Sequence, residues 1–252
     1  MRRTTTTRCC LTLLAGAGVI GVGLGCSQHK PDTAMTSPFP VPMSLAVAPV
    51  LNFSGEFSFD PLKAADLLAS ELSDVENVTV LPVNRVAAYL AVQGKRQIES
   101  PAHAVAVAQA VGADAILVAG ITEYDPYTPV VGLVLQMYVV SQGQATVSPT
   151  VDPVLASRNG RPVALTEHQD PAVPTGQVQM VYSALHEWVV KAVRHYADER
   201  SEELSPYGWR QYLKVQTLFL RFCWHDAIER LLQQESRRRA TPADGGCLEV
   251  SS

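Results

Sequence analysis

The spacing of apolar positions changes several times along the chain, and each change predicts an element. Residues 43–53, MSLAVAPVLNF, form an unbroken apolar run of strand type. Asp60-Pro61 then offers a cap and a first-turn proline, and Leu62, Ala65, Ala69 and Leu72 follow at helical spacing. NVTVLPV (77–83) reads as a second strand. Asn84 caps a short helix carried by Val86, Tyr89 and Leu90, which stops at Gly94. Ser100-Pro101 opens another helix, with Ala104, Val105, Ala108 and Val111 inward and Gly112 at its end. DAILVAGITEY (114–124) and VVGLVLQMYVV (130–140) are two further strands, and the two prolines between them predict a hairpin. Along the second strand Val131, Leu133, Leu135, Met137 and Val139 share one face, and Gly132, Val134, Gln136, Tyr138 and Val140 share the other.

Residues 141–176 are irregular and rich in Pro, Gly and Ser, and QVQMVY (177–182) predicts one more strand. Ser183 is placed to cap a long helix whose Leu185, Trp188, Val189, Ala192, Val193 and Tyr196 form an inward stripe. A second helical segment follows over 205–240, with Trp209, Tyr212, Leu213, Phe219, Phe222, Ala227, Ile228 and Leu231 as apolar members. This order implies an α/β (α+β) fold, a mixed sheet with helices packed on it and helices at the carboxy-terminal end. The layout is a leader over 1–25, a tether over 26–42, a sheet domain over 43–204 with an insertion at 141–176, the helical segment 205–240 and a tail over 241–252. Whether the last helices dock on the sheet is left open.

The amino-terminal stretch changes the picture most. MRRTTTTRCC is basic, and LTLLAGAGVIGVGLG is apolar but shorter than the ~20 residues that cross a bilayer as a helix. Such flanks belong to an export signal. GLGC followed by Ser27 resembles the lipobox of bacterial lipoproteins, which implies cleavage before Cys26 and acylation of its thiol and new amine. Ser27 after the cysteine resembles the signal for sorting to an outer membrane. A cut by the ordinary signal peptidase, leaving Cys26 unmodified, is the alternative. Residues 27–42 are polar and Pro-rich, so the body is expected close to its membrane.

Composition narrows the partners. A chain that is 47% hydrophobic and 17% charged builds a core. Its net charge of −4 hides a split, since Arg2, Arg3 and Arg8 stand without an acid in the leader and the remainder carries −7. An acidic body argues against nucleic acid, which demands a cationic surface. Past the leader the cysteines are Cys26, Cys223 and Cys247. An envelope compartment permits a Cys223–Cys247 bridge, although Cys223 stands among apolar residues at helical spacing.

SLAVAPVLNFSGE followed by a helix, then GADAILVAGITEYDP and VGLVLQMYVV, resembles a domain shared by several envelope lipoproteins. These are the curli-secretion-channel subunit, the penicillin-binding-protein activator lipoproteins and the related domain of the Tol–Pal periplasmic protein. The resemblance covers 43–140 and extends to 177–204. It implies an α/β fold and a partner-binding, non-enzymatic role, without catalytic residues or a cofactor.

Candidate chemistry is sparse. Glu123 and Asp125 flank the hairpin turn and read as solvated turn carboxylates, with contact to a partner as their second reading. No neighbouring His, Ser or metal ligand gives them a catalytic spacing. His186-Glu187 lacks a histidine at position 190, so the zinc-protease motif fails. Cys223, His225 and Asp226 do not share one helical face. Trp224 departs from the inward stripe of its helix, and with Trp209 it is a candidate for an exposed interface aromatic. Arg237, Arg238 and Arg239 suit a helix end, and anionic lipid is a further candidate for them. The expectation is a lipid-anchored periplasmic binding or assembly protein that touches the membrane through Cys26 and an envelope protein through its body. Its oligomeric state is left open. A secretion-channel subunit and an activator of a cell-wall synthase are the alternatives.

Overall fold

The computed structural model describes residues 35–140, 173–200 and 206–240. In chain order the elements are β1 (Met43–Val47), β2 (Leu51–Asn52), α1 (Pro61–Leu72), β3 (Val78–Leu81), α2 (Val83–Val92), α3 (Pro101–Val111), β4 (Ala115–Asp125), β5 (Val130–Val139), β6 (Gly176–Ser183), α4 (Glu187–Glu199), a 3₁₀ turn (Gly208–Leu213) and α5 (Gln216–Ala240). Cys26, the leader, Cys247 and most of the 141–176 insertion lie outside the described residues.

The sheet runs β3-β1-β4-β5-β6, with β2 also beside β4. β3, β1, β2 and β4 are mutually parallel, whereas β4-β5 and β5-β6 are antiparallel. This is the expected mixed α/β arrangement. Alternation sends Leu117, Ala119, Leu133, Leu135 and Met137 to one face, where they share a core with α1, α4 and α5. Ala46, Ile116, Val118 and Tyr138 point the other way, against Val86 and Leu90 of α2 and Ala104 and Ala108 of α3. The last helix therefore docks on the sheet, with Phe222, Trp224, Ile228 and Leu231 in the same core as Leu45 and Leu117.

Local chemistry explains the boundaries. Asp60 accepts from the amides of Leu62 and Lys63 at 3.0 and 3.1 Å, and Pro61 opens α1. The Ser100 hydroxyl accepts from His103 N at 3.2 Å to start α3. Gly112, at φ +73°, ends it in the left-handed region that a side chain resists. Ala113 N then closes on Ala108 O, and the chain enters β4 through Asp114.

Four sequence expectations are corrected. The apolar run 43–53 is two strands. Pro49 has no amide to give the ladder, so β1 ends before it, and Ala48 N and Phe53 N reach Leu117 O and Ile121 O on either side of the break. α4 begins at Glu187 because 183–186 form a turn, with His186 N donating to Ser183 O at 2.9 Å. Leu185 and Trp188 consequently face outward, at 77% and 41% exposure, and Val189, Val193, Tyr196 and Ala197 form the buried stripe. The segment 205–240 is not one run, since the 3₁₀ turn breaks before α5. Finally, residues 35–39 of the expected tether pack on the body. Thr36 bridges Glu76, Glu76 N donates to Met35 O at 2.8 Å, and Phe39 is buried beneath the guanidinium of Arg239, 4.5 Å from its ring.

Candidate functional site

At the hairpin tip Asp125 works on its own turn, accepting from Tyr127 N at 2.8 Å and Thr128 N at 3.2 Å. Glu123 is exposed beside a bulge in the β4-β5 pairing. A side chain at Gly132, opposite it, would stand 2.7 Å from Thr122 Oγ1 and 2.9 Å from Glu123 Cβ, so only glycine allows this approach. Asp125 thus braces its own turn, and Glu123 stands exposed beside it.

The loop between β2 and α1 lies at the same end. Asn52 accepts from Ser54 N and Oγ at 3.1 and 2.7 Å and donates through Nδ2 to Glu56 O at 2.9 Å. Ser58 N donates to Glu56 Oε1 at 2.9 Å. Hydrogen bonds from the Ser58 backbone and side chain hold the Glu56 carboxyl below its ordinary range, against a smaller upward push from nearby Asp125. Phe59 is buried and meets Tyr124 edge to face, with centroids 5.1 Å apart, which ties the loop to the hairpin. The loop is therefore braced from within and turns two rings outward. Phe53 is 65% exposed, Phe57 is wholly exposed, and Tyr127 on the hairpin turn is 94% exposed. Aromatics held on a braced loop supply contact area with little ordering cost when a partner arrives.

Those three rings were not anticipated. NFSGEFSFD (52–60) carries three phenylalanines among Asn, Ser and Gly, and aromatics in turn-type composition were the available signal. The anticipated tryptophans behave otherwise. Trp224 is fully buried, a correction, because α5 packs against β5, β6, α1 and the 3₁₀ turn. Trp209 is half-buried against the core, with the Arg210 guanidinium 4.8 Å from its ring.

A groove of about 630 Å³ lies between residues 35–38, α4 and α5, lined in part by His195, Glu199, His225 and Glu229. Beneath it Glu71 is completely buried. It accepts from Arg200 Nη2 at 2.6 Å and Arg221 Nε at 2.9 Å, and His225 Nδ1 stands 3.6 Å away. Burial pushes the Glu71 carboxyl up, but His225, Arg200 and Arg221 together outweigh it and hold the group below the ordinary range. Asp226 takes a different direction, accepting from the Tyr182 hydroxyl at 2.7 Å and Arg230 Nε at 2.6 Å. Cys223 is enclosed in the core, where burial raises its thiol pKa far above normal. The CWHD side chains diverge. Among the described residues no three His, Cys, Asp or Glu side chains are placed to hold a metal.

No protein-family model matches the chain, and no curated protein sequence matches it. Solved structures do. The chain is similar to three of them at low identity. The C-terminal domain of LpoB from Salmonella enterica is 20% identical with a TM-score of 0.34, over 41% of this chain and 76% of that one. Lipoprotein GNA1162 from Neisseria meningitidis is 16% identical with a TM-score of 0.38, over 65% of this chain and 100% of that one. The PelC dodecamer from Paraburkholderia phytofirmans gives 19% identity and a TM-score of 0.29, over 43% of this chain and 69% of that one. The likeness agrees with the resemblance drawn from the sequence, and it is one of fold alone.

Proposed function

We propose that the chain is exported, cut before Cys26 and held by acyl chains on that cysteine at the periplasmic face of the outer membrane, where it acts as a non-catalytic binding or assembly factor. The polarity of the folded body carries this reading. The chain joins the body at Met35, beside Glu76 and the amino-terminal ends of β1 and β3. Phe53, Phe57 and Tyr127 stand at the opposite end, past the carboxy-terminal ends of β2 and β4. An attachment at one end and a braced aromatic surface at the other suit a protein that works by contact. Glu123 and Asp125 belong to that contact end, and Trp209 stands on the 3₁₀ turn.

The carboxylates that are buried support the non-catalytic half of the reading. Glu71 and Glu235 are each held by two arginines, which leaves neither available as a general base. Eight residues lie between Cys26 and Met35, a span of about 30 Å at most, which disfavours activation of a cell-wall synthase across the periplasm. A channel subunit asks for hairpins that leave the body, and β4 and β5 are instead paired along their length within the sheet.

Mass spectrometry of protein from the membrane fraction is expected to find a mature chain that begins at an acylated Cys26. An unmodified chain starting at Met1 in the soluble fraction overturns the anchor. A photocrosslinking amino acid at Phe57 is expected to capture a discrete envelope protein in intact cells, and one at exposed Val92 on α2 is not. Equal capture from both positions overturns the contact end.

A further inference from the structure

We infer that the carboxy-terminal turn of α5 docks on anionic phospholipid headgroups, so that the body stands on its membrane with the aromatic end directed away. This rests on the anchoring at Cys26 proposed above. The last core residue of α5 is Leu232, and beyond buried Glu235 the helix projects with Arg237, Arg238 and Arg239 exposed. Arg238 donates to Glu235 through Nη2 at 2.6 Å and Nε at 2.9 Å, and Arg239 through Nε at 2.7 Å. One carboxylate thereby fixes two guanidinium groups and leaves the turn with an excess of positive charge. That excess sits on an exported body whose net charge is −7.

Its position is the second observation. The guanidinium of Arg239 lies 4.5 Å from the ring of Phe39, and residues 35–39 are the part of the body that the chain from Cys26 reaches first. The attachment point and the arginines are therefore one place. Charges act on a bilayer within about 8 Å at physiological salt, and a linker of eight residues brings this turn there before any other part of the body. Each arginine near an anionic surface strengthens attraction by roughly fivefold. A solvated helix end needs no partner, so the two readings separate in experiment.

The test couples a single fourteen-carbon chain by maleimide to Cys26 of the full mature chain, with Cys247→Ser throughout. Cys223 is fully buried and stays unmodified. One such chain alone binds only marginally, so partition onto vesicles stays sensitive to the protein. Tighter partition, on the order of tenfold, is expected on phosphatidylcholine vesicles containing phosphatidylglycerol than on phosphatidylcholine alone, with the gain lost in high salt. Arg237→Gln with Arg238→Gln is expected to abolish the gain, and Arg237→Lys to keep it, with circular dichroism confirming the fold of each. Preference for neutral vesicles, which a −7 body without an oriented patch would show, overturns the inference. So does a double variant that retains the gain. Because the chain is attached chemically, these outcomes do not depend on whether cells acylate Cys26, which the mass of the native protein decides separately.

Discussion

The Ser44 hydroxyl and the Asp114 carboxylate, seventy residues apart, close a ring of hydrogen bonds at the base of β1 and β4. Ser44 Oγ donates to Asp114 Oδ2 at 2.7 Å, Ser44 N donates to the same oxygen at 2.8 Å, and Asp114 N approaches Ser44 Oγ at 3.0 Å. This ring sets the register between a local turn and a distant strand. Asp114→Ala should cost about 2 kcal/mol, the scale of hydrogen bonds to a charged acceptor. Urea unfolding checks it, and a cycle with Ser44→Ala should show coupling.

Glu71 joins α1 to the end of α4 and to α5 through Arg200 and Arg221. Glu71→Gln leaves those cations facing a neutral amide and should destabilise by about 3 kcal/mol at pH 7. The folded carboxyl titrates below its ordinary value of 4.5, so its contribution is whole above that pH and fades as pH falls through the lower folded value. The stability gap between wild type and variant should therefore shrink between pH 5 and pH 3. A gap that stays constant there contradicts the assignment.

Trp224 and Phe57 separate stability from contact. Trp224→Ala empties a fully buried site and should cost about 3–5 kcal/mol. Phe57→Ala removes a wholly exposed ring and should leave the melting temperature unchanged while weakening partner capture. Thermal melts beside crosslinking yields check both, and a large loss of stability in Phe57→Ala would refute the placement of its loop.

Cys223 is enclosed and its thiol is kept protonated by burial. Iodoacetamide should leave it untouched in native buffer and modify it fully in denaturant. Peptide mass mapping reads the difference.

Much of the sheet was legible in the sequence because period-two and helical spacings do not overlap there. The alternation across 131–139 assigned the two faces of β5, and Gly112 and Ser100 announced the ends of α3. Legibility failed where the outcome depends on packing between distant segments. α5 is apolar on more than one side because it is a central helix of its layer, and Trp224 looked out of line only against a single-stripe template. Residues 35–42 look like linker by composition, and only the proximity of Glu76 and Arg239 turns Thr36 and Phe39 into docked residues. The contact end was missed for a similar reason. After Pro49 the chain rejoins the sheet as β2, and it is the turn from Asn52 to Ser54, with Gly55 at φ +75°, that carries Phe53 and Phe57 into a loop.

The docked segment also has a mechanical consequence. Tension arriving along the chain from its amino-terminal side meets a short bridge at Thr36 and one ring seated at Phe39 before it meets any extended ladder. Peeling residues 35–42 pays out about 27 Å of leash, at the loss of Phe39 from the core it shares with α1, α4 and α5.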